Sequence, residues 1–286
     1  MSLAYLNGNW LPLEQAQVSV LDRGFLFGDG VYEVIPVYKG QALRLEQHLQ
    51  RLHDSLAGIR LANPHSDSTW RTLIAELIQR SGGGDQLLYL QITRGAAPRD
   101  HAFPAANTSA TVLLSSKPFS PPDAQRLAQG IRVGLAEDPR WQLCNLKTVN
   151  LLANVLLKQL AVDQGHDEML LHAQGLLTEG TSSNVFVIHD QVIATPPLSS
   201  NILPGVTRGL ILELAHNAGM AVEERAIALD ELKSADEVWI SSSTRELMPV
   251  VEIDGVKVAD GMPGPLARQL SQAFRAYALA PVAAAA

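Results

Sequence analysis

Trp141-Gln-Leu-Cys144-Asn-Leu-Lys147-Thr-Val-Asn150 opens a strongly apolar run, and thirty-two residues after its lysine comes Glu179, in Leu177-Thr-Glu179-Gly180-Thr-Ser-Ser-Asn184-Val-Phe186. Lys147 is flanked by Leu146, Val149, Leu151 and Leu152. Apolar surroundings disfavour the ammonium form, and a lysine that has lost its proton can attack a carbonyl and form a Schiff base. Glu179 sits on a turn of small residues, where a carboxylate can keep a pyridine nitrogen protonated and the ring electron-withdrawing. Taken alone, the same residues read as a surface lysine before a helix and an ordinary turn carboxylate.

Around these stretches the chain alternates between strand and helix signals without strict order. Asn7-Gly8 is a hairpin turn between Ala4-Tyr-Leu and Trp10-Leu. Val31 to Ile35 reads as a strand, apolar residues at 45, 49, 52, 56 and 59 make a helical stripe, and Trp70 to Ile78 make a second helix stopped by Gly82-Gly-Gly84. Strands are expected at Leu87 to Thr93, Ala110 to Ser115, Ile131 to Leu135, Met169 to Leu171, Val185 to Ile188 and Val238 to Ser241. Helices are expected at Leu151 to Val162, from Pro204-Gly205-Val206-Thr207 to Asn217, and at Leu266 to Tyr277. Asp254-Gly255 closes a further hairpin. Strands outnumber helices, so the reading is mixed α+β or α/β in two domains. These are a smaller one at 1–118, a proline-rich linker at 119–123, and a larger one at 124–280 that carries Lys147. A frayed tail is expected at 281–286.

Composition narrows the classes. The 286 residues carry 22 basic and 29 acidic side chains, 22 − 29 = −7, and no two basic residues are adjacent. Nucleic acids and anionic membranes need clustered Lys and Arg, so neither is an expected partner. A single cysteine, Cys144, allows no intrachain disulfide, and a reducing, cytoplasmic location is expected. The first residues lack a basic patch followed by an apolar core, so no signal peptide is expected, and no apolar run approaches a membrane span. His48 and His53 are poorly spaced for one metal, and no metal site is expected. Gly28-Asp-Gly30 lacks the context of a dinucleotide loop, and there is no nucleophile elbow or Walker loop.

Other motifs read as anion sites. Leu203-Pro204-Gly205-Val206-Thr207-Arg208 leads straight into Leu210-Ile-Leu-Glu-Leu, the form of a phosphate-binding helix start, although an ordinary cap by Thr207 would look the same. Thr93-Arg94-Gly95-Ala-Ala-Pro98-Arg99-Asp100-His101 places a guanidinium and an imidazole two residues apart, so in extended chain both can reach one anion. Arg51, beside His48 and Ser55 on the polar face of the Leu45 helix, reads by position alone as a solvated arginine.

Taken together and in order, these motifs resemble the fold-type IV pyridoxal-phosphate enzymes, the class IV aminotransferases, over nearly the whole chain from Tyr5 to about Tyr277. The resemblance implies pyridoxal 5′-phosphate joined to Lys147 as a Schiff base, with Glu179 on the ring nitrogen. It also implies Arg51, Val206, Thr207, Ser243 and Thr244 on the phosphate. Within the family the Pro-Arg-x-His pattern is similar to that of the D-amino-acid aminotransferase branch. There Tyr32, Arg99 and His101 match a trap for the substrate α-carboxylate, the arginine and histidine coming from a neighbouring subunit. A homodimer follows. The implied reaction is a ping-pong transamination between a D-amino acid of the D-alanine or D-glutamate type and a 2-oxo acid such as 2-oxoglutarate or pyruvate. Aminodeoxychorismate lyases and branched-chain L- or (R)-amine transaminases are the alternatives on the same fold, and a binding module that keeps the fold without the chemistry is the alternative outside enzymes. Pro36 stands where family members usually have a polar, lysine-like residue, so one edge of the substrate pocket departs from the pattern.

Overall fold

A computed structural model describes residues 3–280, which form two compact units; the tail expected at 281–286 lies outside the described residues. The first unit comprises residues up to Ser120 together with Leu146–Leu151, and the second comprises Pro121–Asn145 and residues from Leu152 onward. Lys147, expected in the C-terminal domain, therefore belongs to the first unit.

In the first unit, β1 (Leu3–Leu6) and β2 (Asn9–Pro12) form the expected hairpin. Asn7 and Gly8 both take positive φ, 49° and 94°, as the tight turn requires. There follow a short helix α1 (Arg23–Phe27), β3 (Gly30–Tyr38), β4 (Gln41–Ala42), α2 (Leu45–Gly58), α3 (Asp67–Arg80), β5 (Gln86–Thr93) and β6 (Thr111–Pro118). The strands make one antiparallel sheet in the order β2-β1-β6-β5-β3-β4. Its helix-covered face is set by alternation. Val31, Ile35 and Val37 of β3, Leu88, Leu90 and Ile92 of β5, and Val112 and Leu114 of β6 meet Leu49, Leu52 and Leu56 of α2 and Trp70, Ile74 and Leu77 of α3. Glu33 shares that face, in the middle of an apolar run. α3 starts on a Ser66 cap, whose side chain accepts from Thr69 N. The segment 147–149 pairs with the start of β3: Tyr32 N donates to the Lys147 carbonyl (3.0 Å) and Val149 N to that of Gly30 (3.0 Å).

The second unit contains α4 (Ala124–Gln129), β7 (Ile131–Glu137), α5 (Leu152–Asp163), β8 (Glu168–Ala173), β9 (Leu176–Gly180), β10 (Asn184–His189), β11 (Val192–Thr195), α6 (Val206–Asn217), β12 (Val222–Glu224), β13 (Glu237–Ser242), β14 (Glu246–Ile253), β15 (Val256–Lys257) and α7 (Pro265–Leu279). The sheet runs β12-β11-β10-β13-β14-β7-β8-β9, with β15 on β14. It is mixed: β7 is parallel to both β14 and β8, and β11 to β12, while the other pairs are antiparallel. α6 and α7 pack on each other and on β13 and β14. α7 begins on the Glu237 carboxylate, which accepts from Leu266 N and Ala267 N at 2.9 Å each. β14 and β15 make the hairpin expected at Asp254-Gly255, although Pro249 by itself argues against a strand. The structure accommodates it because residue pairing with β7 begins only at Val250.

Candidate active site

The lysine is held by the first unit. Its backbone N–H donates to Ser55 Oγ on α2 (3.1 Å), its carbonyl is held by Tyr32, and its Nζ lies 4.1 Å from the centroid of the Tyr32 ring. Lys147 is half-buried. Tyr32 projects from the sheet face opposite Glu33 and stacks obliquely on Tyr89, centroids 5.8 Å apart. Alternation along β3 thus sends Tyr32 to one face and Glu33 to the other.

Glu33 explains α2. Arg51 Nε and Nη2 donate to its two oxygens (2.8 and 2.7 Å), and His48 Nδ1 lies 2.8 Å from Oε2. His48, Arg51 and Ser55, one turn apart in succession, are buried; the expected polar face is a polar seam against β3, and Arg51 is not the solvated arginine that its position alone suggests. Burial alone raises the Glu33 carboxyl, but the charge and hydrogen bonds of Arg51 outweigh it and hold the group well below the usual carboxylate range. Burial likewise lowers His48, against the pull of Glu33, so the imidazole stays neutral near pH 7. Glu33→Gln, which leaves a buried guanidinium without its carboxylate, is expected to destabilise the protein by about 3 kcal/mol. Because the folded value is depressed, this contribution is present above the ordinary value of 4.5 and is lost as pH falls below it. Thermal unfolding at pH 7 and pH 4 checks both statements, the gap between parent and variant narrowing at the lower pH.

In the second unit a polar cluster surrounds Glu179, which is 4% exposed on β9. Arg140 Nη1 donates to Oε1 (2.6 Å), while Asn184 Nδ2 (3.2 Å) and Leu203 N (2.9 Å) donate to Oε2. Arg140 is itself oriented by a fork onto Asp138, whose Oδ2 also accepts from Thr178 Oγ1. Burial raises Glu179 more than Arg140 lowers it, pushing its carboxyl up to about 7. Asn184 also reaches the Leu203 carbonyl (2.9 Å), two residues before the cap of α6. A Cβ on Gly205 would fall 2.0 Å from Asn184 Oδ1, so only glycine fits beneath that amide. No side chain caps α6, whose first residues are Val206 and Thr207. Its leading N–H groups and the positive end of its dipole suit an anion. Ser243 and Thr244 lie on the turn from β13 to β14, where Ser242 Oγ is 3.4 Å from Thr244 Oγ1.

Arg99 and His101 stand on the irregular segment after β5, both exposed. The extended chain that would have aligned them is absent. They converge instead on Phe27: Arg99 Cζ lies 5.3 Å from that ring centroid, and the His101 ring 5.4 Å.

Sequence reasoning missed Glu33, Asp138, Arg140 and Asn184. The one available signal was Asp138-Pro-Arg140, a charged pair entering the apolar Lys147 stretch. His48 and His53 turn to different carboxylates, Glu33 and Asp67, and among the described residues no three His, Cys, Asp or Glu side chains gather as a metal site. Cys144 is 9% exposed, its Sγ 3.1 Å from the Trp141 carbonyl, and burial pushes its thiol up to about 11. It is expected to react with a thiol reagent at pH 7.5 more than about tenfold more slowly than a free cysteine, and an Ellman time course checks this.

Each unit by itself carries groups of the kind that suit pyridoxal phosphate: the first a lysine amine held over an aromatic ring, the second a buried carboxylate suited to a ring nitrogen and an uncapped helix start suited to a phosphate. The sequence pattern of the amino-transferase class IV family matches residues 30–253. D-alanine aminotransferase of Bacillus licheniformis is 41% identical over 94% of each chain. The branched-chain amino acid aminotransferase of Escherichia coli superposes with TM-score 0.90 at 29% identity, covering 96% of this chain and 93% of that one. A second branched-chain amino acid aminotransferase, from T.th. and complexed with N-(5′-phosphopyridoxyl)-L-glutamate, superposes with TM-score 0.90 at 27% identity, over 97% and 94%. No helix among the described residues is long and apolar enough to cross a membrane.

Proposed function

We infer that this chain, which belongs to the class IV aminotransferases, moves the amino group of a D-amino acid onto a 2-oxo acid, with pyridoxal phosphate as its cofactor. The observation that carries the reading is the near-full-length likeness to a D-alanine aminotransferase, and the pair Arg99 and His101 gives it a chemical basis. D-alanine with 2-oxoglutarate is the expected substrate pair.

When bound, pyridoxal phosphate supplies a carbonyl carbon that an amine can join and a ring that withdraws electrons from the substrate Cα. Lys147 would hold it covalently, and its amine, once displaced by the substrate, would take the Cα proton and return it as general base and then acid. The aromatic ring beneath Nζ and the backbone bonds on both sides of the residue hold that amine in place. Glu179, fixed by Arg140, Asn184 and Leu203, would keep the ring nitrogen protonated. Arg51, preset by Glu33, would bind the phosphate together with the N–H groups of Val206 and Thr207 and the hydroxyls of Ser243 and Thr244. Tyr32, Arg99 and His101 would hold the substrate carboxylate.

The active form is read as a cytoplasmic homodimer in which Arg99 and His101 serve the neighbouring subunit. Their exposure in one chain supports this, as do large apolar side chains left at the surface, Phe25 at 72% and Leu152 at 69%. Strict monomers with full activity would end the shared-site reading. The test of the reaction is an assay with D-alanine and 2-oxoglutarate that reads pyruvate and D-glutamate. Transamination requires both substrates, whereas pyruvate released from aminodeoxychorismate with no acceptor would make the chain a lyase.

A further inference from the structure

Arg23 is 4% exposed, on a five-residue helix far in sequence from Arg99 and His101, and its guanidinium is spent on the backbone of the substrate loop. Nη1 donates to the carbonyls of Asp100 (2.6 Å) and Ala102 (3.2 Å), and Nη2 to that of His101 (3.5 Å). These are three consecutive peptides of the segment that bears Arg99 and His101. Nε donates to Asp29 Oδ2 (2.8 Å), and Arg94 takes both oxygens of the same carboxylate (2.8 and 2.9 Å). Arg94 in turn donates to the carbonyls of Ile59 and Arg60, at the end of α2. The same Phe27 ring that receives Arg99 and His101 also lies 4.9 Å from Arg23 Cζ. Backbone bonds fasten the two segments besides: Arg23 N to the Gly95 carbonyl (2.9 Å), Ala97 N to that of Leu21 (3.2 Å) and Arg94 N to that of Asp29 (3.1 Å). The contact is close enough that a Cβ on Gly24 would fall 2.3 Å from Thr93 Cγ2.

A buried cation is retained only where it is paired and hydrogen-bonded. Asp29 is shared with Arg94, so the remaining donors of the Arg23 guanidinium are satisfied by carbonyls, and these belong to a loop that is otherwise exposed and without regular structure. Such loops are mobile unless something fixes them. Two exposed side chains can present one anion with two charge-assisted bonds only if their backbone is held in place.

We propose that Arg23, balanced by Asp29, is a positioning residue for substrate recognition: it fixes the 100–102 backbone and the Phe27 ring so that Arg99 and His101 meet the substrate carboxylate together. The inference rests on the reading of Arg99 and His101 as carboxylate holders. Arg23 itself touches no substrate. Lysine in its place could not reach three carbonyls and a carboxylate at once, because it lacks the planar fork.

The test compares Arg23→Gln, Arg23→Lys, Arg99→Ala and the Arg23→Gln/Arg99→Ala double variant as holoenzymes. Two donors are assayed, D-alanine and D-alaninamide, which keeps size and handedness but lacks the carboxylate. Arg23→Gln is expected to raise KM for D-alanine about tenfold with kcat within about twofold, and to leave kcat/KM for D-alaninamide within about twofold. Arg23→Lys should fall between parent and Arg23→Gln. The double variant should lose little beyond Arg99→Ala, because both changes remove one interaction. Equal losses on both donors, or effects that multiply in the double variant, would overturn the proposal by making Arg23 a purely structural residue. If Arg99→Ala raises KM and Arg23→Gln does not, the positioning role alone fails. If Arg99→Ala leaves KM for D-alanine unchanged, the carboxylate reading fails and takes the proposal with it. Should Arg23→Gln not fold, Arg23→Lys, which keeps a cation beside Asp29, carries the test: a rise in KM for D-alanine of about threefold with D-alaninamide unchanged supports the proposal, and equal losses on both donors overturn it.

Discussion

Lys147→Ala is expected to lower turnover of D-alanine with 2-oxoglutarate by about four orders of magnitude, the upper range for removing a proton-transferring group that is also the covalent anchor. No neighbour can replace it. Tyr32 presents its ring face to Nζ, and His48 is buried, neutral and engaged with Glu33. The fold should survive, since the backbone bonds of residue 147 to Ser55 and Tyr32 do not involve its side chain. Steady-state rates and circular dichroism on the same preparation check both halves. A variant that retains more than about a tenth of the parent rate would remove Lys147 from the chemistry.

Glu179→Gln carries the second large effect, a loss of about two to three orders of magnitude in kcat. The amide preserves shape but cannot hold a proton on a ring nitrogen. The variant also reports on the group before any chemistry. In cofactor-free protein the Glu179 carboxyl is raised from the ordinary 4.5 to about 7, burial being the largest cause. The folded state then keeps a proton that the unfolded chain has released between those values, so this group's contribution to stability falls as pH rises through that window. Glu179→Gln should abolish that slope. Unfolding midpoints of parent and variant at pH 5 and pH 7.5 decide it: equal slopes would mean that Arg140 already holds the carboxylate fully charged at low pH. Loss of the slope without loss of turnover would separate the buried ion pair from catalysis.

Much of this was legible in the sequence because long periodic segments announce themselves. α2, α3 and α7 follow apolar stripes, and β3 and β5 follow alternation. The short elements α1, α4, β4, β12 and β15 have too few residues to show a period. The position of Lys147 in the first unit could not be read, because its segment attaches to β3 by backbone bonds that any residues could make. The polar framework was also hidden. Glu33 looks like one polar residue in a strand, and Arg51 like a solvated cation, until β3 and α2 are laid face to face. Arg99 and His101 converge for a reason the spacing did not contain, since Phe27 and Arg23 come from a helix far earlier in the chain.

The central claim is that Lys147, Glu179 and the Arg99–His101 pair serve a D-amino acid. The most direct measurement is the stereochemical half-reaction: purified holoenzyme is mixed with D-alanine, and separately with L-leucine, without any acceptor, and the absorbance of the lysine-bound cofactor is followed. The account predicts loss of that band with D-alanine and not with L-leucine. Loss with L-leucine alone would contradict it and place the chain with the branched-chain enzymes whose fold it shares.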